Sequence, residues 1–192
     1  ELTTMPDEVA YTVANSVTKL SVGELLDVEL SKAFNADRDA YFDMIYKKTA
    51  SLIEAAASSA AFIAGKEPDK FALYGKNLGL AFQIIDDVLD ITQSSEALGK
   101  PSLNDFKEGK TTLPYLYMYE ELNEQEKEKL LSLFGKMLGK EETEWIKQKM
   151  HETKSIEKSI EHAKKLGAEA LKSIKDENLP ELETIITQMI DR

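Results

Sequence analysis

Cysteine is absent from the 192 residues, and histidine occurs only twice. Without cysteine the chain can form neither a disulfide framework nor a thiolate zinc site. Only His151 and His162 could supply imidazole, so a metal site must be built mainly from oxygen ligands. Oxygen ligands favour hard cations such as magnesium, which binds carboxylates, waters and substrate phosphates.

Basic residues are outnumbered by acidic ones. The chain has 24 Lys and Arg against 35 Asp and Glu, which gives a formal net charge of -11. Proteins that bind nucleic acid without regard to sequence need a basic surface, so the composition argues against a nucleic-acid partner. No apolar run approaches the roughly 20 residues that span a bilayer, and no membrane span is predicted. The first seven residues lack the basic and apolar stretches of a signal peptide, so the cytoplasm is the expected compartment.

Apolar residues recur at spacings of three and four almost everywhere, which predicts an all-α fold. The hydrophobic content of 42% is enough for a sizeable core, and we expect residues 1–192 to form a single helical domain. The predicted helices cover about 4–30, 39–64, 68–92, 113–121, 124–138, 142–152, 155–175 and 179–190. Residues 93–112 are predicted to be a long loop with at most a short helical turn, and such loops are usually functional.

Three acids, Asp86, Asp87 and Asp90, lie in the segment GKNLGLAFQIIDDVLD. On a helix Asp86 and Asp90 share one face with Gln83, whereas Asp87 is rotated by about 100° to the flank. A solvated helix face would explain the acids equally well, since DDxxD alone is a weak motif. The flanking residues are nearly all apolar, however, and predict a helix that is buried nearly all round. Buried carboxylates need partners, which are either basic side chains or a metal ion.

Lys100 and Lys110 each stand beside a glycine in the long loop and are candidate anion ligands. For either lysine alone, simple surface exposure is the commoner explanation. A third candidate pair, Lys48 and Thr49, lies within a predicted helix, where the alternative is a solvated lysine beside a threonine bonded back to its own helix. Together the acids, the lysines and the apolar helices predict a chamber for a ligand with a diphosphate head and an apolar tail.

Four segments in this order resemble those of the trans-isoprenyl diphosphate synthases, particularly the heptaprenyl and octaprenyl type of polyprenyl synthase. The segments are GELLD from Gly23, YKKTASLIEAAA from Tyr46, YGKNLGLAFQIIDDVLD from Tyr74 and LGKPSLNDFKEGKTTLP from Leu98. The order and spacing of all four are far more specific than DDxxD alone. The resemblance implies an antiparallel helical bundle of the isoprenoid synthase type.

The implied reaction is head-to-tail 1'-4 condensation of isopentenyl diphosphate with an allylic diphosphate. The resemblance implies that Asp86 and Asp90 bind Mg²⁺ on the allylic diphosphate, with Asp87 assisting from the flank. Gln83 would face the same site and bind the diphosphate. The resemblance further implies that the substrate diphosphate is neutralised by Lys48, Lys100 and Lys110. Thr49 would lie beside the reacting allylic carbon, where its oxygen could help to stabilise the developing cation.

The family's first DDxxD motif has no counterpart in these residues. We therefore expect the chain to be the C-terminal part of a longer enzyme, with its N-terminal helices missing, and to be inactive alone. Leu103 stands where the family commonly has glycine. Family members are commonly homodimers, sometimes with an accessory subunit.

Three alternatives stay open. A non-catalytic or regulatory prenyl-synthase-like subunit would explain the missing first motif without truncation. A structural helical bundle would leave the acids merely solvated. A terpene cyclase shares the metal chemistry but fits the lysine segments less well.

Overall fold

The structure of the protein is a computed structural model, and it describes residues 4–93 and 103–190. The described part of the chain consists of helices, turns and loops and contains no strand, which confirms the predicted all-α fold class. The helices are α1 Asp7–Leu30, α2 Arg38–Ile45, α3 Ser51–Ile63, α4 Pro68–Thr92, α5 Asn104–Lys107, α6 Leu113–Glu121, α7 Glu124–Leu133, α8 Lys140–Thr153, α9 Ser155–Ser173 and α10 Pro180–Ile190. A π-helical turn, Tyr46–Ala50, joins α2 to α3, and a 3₁₀ turn, Lys175–Glu177, follows α9.

The predicted bounds agree with the structure for α4 and α6 and differ elsewhere. The second predicted helix, 39–64, is interrupted by the π-helical turn Tyr46–Ala50, which contains Lys48 and Thr49. The helix predicted over 124–138 ends at Leu133, because Phe134 is extended and Gly135 has a φ of 69°. Its start is as predicted, since the side chain of Asn123 accepts from the Glu126 N–H and the Glu126 carboxylate accepts from the Asn123 N–H.

The chain divides into two compact units, and the first contains residues 4–26, 42–83 and 162–190 of the described part. Its core is made by apolar residues of α3, α4, α9 and α10, namely Ala61, Phe71, Tyr74, Ala170, Ile174 and Ile186. The Tyr74 hydroxyl donates to the Leu182 carbonyl at 2.9 Å, which fixes the start of α10 against α4. This unit carries Lys48, Thr49 and Gln83.

The second unit contains residues 27–41, 84–93 and 103–161. Its core joins the end of α4 to α5, α6, α7 and α8 through Ile91, Leu103, Phe106, Tyr115, Met118, Leu122, Leu130, Ile146 and Met150. The rings of Phe106 and Tyr115 stack with centroids 4.7 Å apart, so the short helix α5 is packed firmly beside α6. This unit carries the three acids of α4 and Lys110.

Membrane-spanning segments were also predicted to be absent. Within residues 4–93 and 103–190, none of the helices is both long enough and apolar enough to cross a bilayer.

Candidate active site

The three acids of α4 lie in three different environments. Asp86 is exposed, Asp90 is half-buried and Asp87 is only 4% exposed. The apolar neighbours Ile84, Ile85 and Val88 are buried, so the helix is enclosed on most sides around these acids. The DDxxD pattern therefore combines one solvent-facing carboxylate with two that need partners inside the protein.

Asp87 is partnered by Tyr41, a buried residue of α2. The Tyr41 hydroxyl donates to Asp87 Oδ2 at 2.6 Å. Burial, followed by the charge of Asp87 and this hydrogen bond, raises the pKa of Tyr41 well above its usual value. The pair therefore holds a carboxylate beside a neutral hydroxyl, which stabilises the buried charge.

Asp90 accepts hydrogen bonds from the chain that follows the long loop. The Asn104 N–H donates to its Oδ1 and the Asp105 N–H donates to its Oδ2, both at 3.2 Å. Burial and the charge of Asp105 nevertheless raise the pKa of Asp90, while the two N–H groups and the charge of Lys107 oppose the shift. Asp90 is thus a carboxylate whose negative charge the protein compensates only in part.

Leu103 turns the chain toward Asp90. Its φ of 63° and ψ of 37° are left-handed, and its N–H donates to the Asp90 carbonyl at 3.1 Å. The side chain is fully buried in the core of the second unit. The left-handed region favours glycine, which accounts physically for the glycine that the resemblance leads one to expect at this position.

Asp105 brings a further carboxylate to Asp90 and links it to Lys110. Lys110 Nζ lies 3.3 Å from Asp105 Oδ1 and 2.8 Å from Glu108 Oε2. Burial raises the pKa of Asp105; Lys110 opposes this, and the charges of Glu108 and Asp86 add to it. Burial alone would lower the pKa of Lys110, but its carboxylate partners outweigh burial and raise it, so the ammonium stays charged.

The backbone at Gly109 places Lys110. Gly109 has a φ of 82°, and a Cβ at this position would lie 2.7 Å from the Ser31 carbonyl oxygen. Two residues on, the Thr111 hydroxyl accepts from the Asn35 N–H at 3.2 Å. The segment before α6 is therefore held close to the chain that follows α1, and only glycine allows that approach.

In the first unit, the π-helical turn presents Lys48 and Thr49. The Thr49 hydroxyl donates to Gln83 Oε1 at 2.8 Å. This hydrogen bond links the π-helical turn to α4. Lys48 Nζ lies 3.5 Å from Glu24 Oε2 of α1. Tyr46, the first residue of the turn, accepts a hydrogen bond from Lys19 at 2.7 Å.

The predicted site residues thus fall into two groups. The second unit brings together Asp86, Asp87, Asp90 and Lys110, and the first unit brings together Lys48, Thr49 and Gln83. The prediction for Lys100 lies outside the described residues. Sequence reasoning misses Tyr41 because nothing in its local pattern marks it as the partner of an acid 46 residues away. Asp105 stands in the fourth resembling segment, but the residues alone assign it no role.

Magnesium fits the donor set of the second unit. Across residues 4–93 and 103–190, no three His, Asp or Glu side chains are arranged to hold a metal ion by themselves. Magnesium is commonly held by one or two carboxylates together with waters and substrate phosphates, so the exposed Asp86 and the half-buried Asp90 meet that requirement. A divalent cation would also offset the burial and the repulsion from Asp105 that together raise the pKa of Asp90.

The all-helical fold and the aspartate-rich helix are typical of helical proteins that bind a diphosphate through magnesium. Residues 1–153 match the family described as polyprenyl synthetase, and the chain belongs to that family.

Individual relatives are consistent with the family match. A short chain isoprenyl diphosphate synthase from Methanothermobacter thermautotrophicus is 40% identical over 134 residues, which are 68% of this chain and 41% of that protein. An octaprenyl pyrophosphate synthase from Helicobacter pylori is similar in structure, with 42% identity, a TM-score of 0.93, and coverage of 100% of this chain and 66% of that chain. A polyprenyl synthase from Caulobacter crescentus CB15, complexed with calcium and isoprenyl diphosphate, has 26% identity, a TM-score of 0.88, and coverage of 97% and 60%. The chain therefore spans less than two thirds of the length of these relatives.

Proposed function

We propose that the protein carrying these 192 residues is a magnesium-dependent trans-polyprenyl diphosphate synthase. It would condense isopentenyl diphosphate head-to-tail with an allylic diphosphate to make a polyprenyl diphosphate. The observation that carries this proposal is the cluster of Asp86, Asp90, Asp105 and Lys110, in a chain that belongs to the polyprenyl synthetase family.

The acids of α4 would hold the metal. Asp86 and Asp90 would bind Mg²⁺, which supplies positive charge to the allylic diphosphate as it leaves. Asp87 would assist from the flank, where its bond to Tyr41 keeps α4 in a fixed rotation. The Caulobacter crescentus relative is complexed with calcium and isoprenyl diphosphate, which supports a divalent cation and a diphosphate as ligands of this protein.

The lysines would neutralise the leaving group. Lys110 stays charged because carboxylates surround it, and binding of a diphosphate would replace some of these contacts with charge-assisted hydrogen bonds. Lys48 and Lys100 would contribute two further ammonium groups. Because a stabilised leaving group lowers the barrier to breaking the allylic C–O bond, these charges would act on the ionisation step.

Thr49 would act on the carbon that ionises, and Gln83, its hydrogen-bond partner, would bind the diphosphate. The C–O bond breaks, its electron pair leaves with the diphosphate, and the double bond of isopentenyl diphosphate supplies the pair for the new C–C bond before a proton is lost. The Thr49 hydroxyl donates a hydrogen bond to Gln83 Oε1, which leaves the lone pairs of the Thr49 oxygen directed toward other neighbours. A lone pair beside the allylic carbon would stabilise developing positive charge.

The resemblance alone supports the remaining proposals. Residues 1–192 would form part of one isoprenoid synthase domain, in a homodimer, with or without an accessory subunit. The family ionises its substrate between two aspartate clusters, and these residues contain one DDxxD. We therefore propose that the 192 residues alone do not turn over substrate.

The test is the turnover of the whole protein with Asp86→Asn, measured as incorporation of labelled isopentenyl diphosphate. The change removes one negative charge from the metal site with little change in shape, and we expect a loss of about 10²- to 10³-fold in kcat. Asp69→Asn is the matched control, because Asp69 is an exposed acid in the first turn of the same helix. Near-normal turnover by Asp86→Asn would refute its role, and an inactive unsubstituted protein would favour a regulatory subunit.

A further inference from the structure

The π-helical turn that carries Lys48 and Thr49 is contacted directly by two helical glycines. Gly23 of α1 lies so close that a Cβ there would be 2.3 Å from the Lys48 nitrogen and 2.6 Å from its Cα. Gly79 of α4 lies so close that a Cβ there would be 2.5 Å from the Ala50 Cα. Ordinary contacts of this kind are about 3.5–4.0 Å, so neither position has room for a methyl group.

The two contacts fall on different sides of the turn. Lys48 and Ala50 are two residues apart, and residues with that spacing face roughly opposite sides of a helical turn. Ala50 is fully buried, and both Gly23 and Gly79 are buried as well. The backbone of the turn is therefore held between α1 and α4 without any side chain in between.

Each glycine is followed on its own helix by a polar residue that contacts the side chains of the turn. Glu24 follows Gly23 directly and lies 3.5 Å from the Lys48 ammonium. Gln83 comes one helical turn after Gly79, on the same face, and accepts from the Thr49 hydroxyl at 2.8 Å. Each helix thus makes two contacts with the turn. Its glycine packs against the backbone of the turn, and its polar residue contacts one side chain of the turn.

We propose that Gly23 and Gly79 are positioning residues that set where the Lys48 ammonium and the Thr49 hydroxyl stand in the active site. This inference rests on the proposed function, because it assigns the glycines a role through two residues proposed to contact the substrate. π-helical turns are intrinsically unfavourable and occur frequently at functional sites. The close packing of α1 and α4 against the turn stabilises its π-helical backbone. The same packing fixes the side chains of Lys48 and Thr49 relative to both helices.

Gly75 provides a matched control within the same helix. It lies one turn before Gly79, and a Cβ there would be 2.6 Å from the Ile53 carbonyl oxygen and 2.8 Å from the Glu54 Cα. The steric conflict is the same in kind and size, but it falls on the regular helix α3 instead of the π-helical turn. A purely structural role for all three glycines predicts equal effects of alanine at each position.

The experiment compares Gly23→Ala, Gly79→Ala and Gly75→Ala in the whole protein. We expect the first two to lower kcat/KM by about 10²-fold, because a displacement near 1 Å at reacting groups has an effect of that size. Gly75→Ala should lower the thermal midpoint by a similar amount but retain kcat/KM within about threefold once corrected for the folded fraction. Equal losses of kcat/KM in all three variants would overturn the inference.

A double-mutant cycle with Lys48→Ala separates positioning from general damage. If Gly23 acts through Lys48, then Gly23→Ala should cost much less in the Lys48→Ala background than in the unsubstituted protein. Gly75→Ala should cost the same in both backgrounds. Full additivity for Gly23→Ala and Lys48→Ala would contradict the proposal.

Two further measurements keep the inference testable. Tyr46→Phe removes the hydroxyl through which the first residue of the turn bonds to Lys19 and Glu54, and it adds no atom, so it serves if the alanine variants do not fold. It should lower kcat/KM with little change in thermal midpoint, and unchanged kcat/KM would overturn the claim that the turn's position matters.

Calorimetric binding of inorganic pyrophosphate does not need turnover. It should weaken in Gly23→Ala and not in Gly75→Ala, even if the unsubstituted protein proves to have no prenyltransferase activity. Equal binding of pyrophosphate by both variants would contradict the role of Gly23 without contradicting the proposed prenyltransferase function.

Discussion

At the scale of single residues, Leu103 combines a left-handed backbone with a fully buried side chain. The backbone conformation costs roughly 1–2 kcal/mol for a residue other than glycine, and burial of the leucine side chain offsets this cost. The conformation directs two N–H groups at Asp90, so the strain serves the acidic site.

The left-handed backbone at Leu103 predicts an inverted order of stability. Leu103→Ala and Leu103→Gly both lose the buried side chain, but only glycine relieves the backbone strain. Glycine normally destabilises a protein by roughly 0.5–1 kcal/mol relative to alanine, whereas here Leu103→Gly should be the more stable variant by about 1 kcal/mol. Urea unfolding of both variants measures the difference, and a more stable Leu103→Ala would contradict the conformation.

The bond between Tyr41 and Asp87 is a second feature at this scale. Tyr41→Phe removes the donor from a buried carboxylate, and we expect a loss of about 1.5–3 kcal/mol in the free energy of unfolding. Asp87→Asn in the Tyr41→Phe background should restore part of this loss, because it removes the charge that the hydroxyl stabilises. Urea denaturation of the two single variants and the double variant tests the coupling, and simple additivity would count against it.

At the scale of helices, the sequence pattern predicts those elements whose ends carry strong local signals. α6 has proline in its first turn and α7 has the Asn123 and Glu126 capping box, and both starts agree with the structure. The predicted end of α7 was wrong, because the apolar spacing continues to Leu138 although the chain turns at Gly135. The π-helical turn has no local signal, since it depends on contacts with α1 and α4 that only the folded chain provides.

The candidate site follows the same division. Asp86, Asp87 and Asp90 stand out because acids interrupt an otherwise apolar helix, and their spacing gives their faces. Their partners do not stand out, because Tyr41 and the backbone of Asn104 and Asp105 reach them only through tertiary packing. Periodicity therefore identifies the acids but not the groups that donate hydrogen bonds to their carboxylates.

The attachment of α10 to α4 through Tyr74 predicts a loss of stability at alkaline pH. Burial raises the pKa of Tyr74 to about 12. Because the folded value lies above the ordinary value of about 10, the stabilisation is complete below about pH 10 and is lost as pH rises through about 12. Tyr74→Phe should therefore show a smaller fall in urea midpoint between about pH 9 and about pH 11.

Tyr11→Phe is the control for this comparison, because Tyr11 is 74% exposed. The fall in its midpoint should match that of the unsubstituted protein. An equal fall in Tyr74→Phe and Tyr11→Phe would show that Tyr74 does not contribute to the alkaline loss.

At the scale of the whole molecule, the net charge of -11 opposes the proposed substrates, which are anions. Binding of two diphosphates to such a chain requires local positive charge that exceeds the general repulsion. Lysines alone leave the carboxylates of α4 facing the phosphates, so a divalent cation is the natural partner. The acidic composition of the chain therefore agrees with the proposed use of magnesium.

The most direct test of the proposed function is the stoichiometry of the reaction in the whole protein with Mg²⁺. Released pyrophosphate and incorporated labelled isopentenyl diphosphate would be counted in the same sample. The account predicts one pyrophosphate for each isopentenyl unit joined, and neither product when either substrate is omitted or when the metal is chelated. Pyrophosphate release from the allylic substrate alone, or no incorporation with both substrates present, would contradict it.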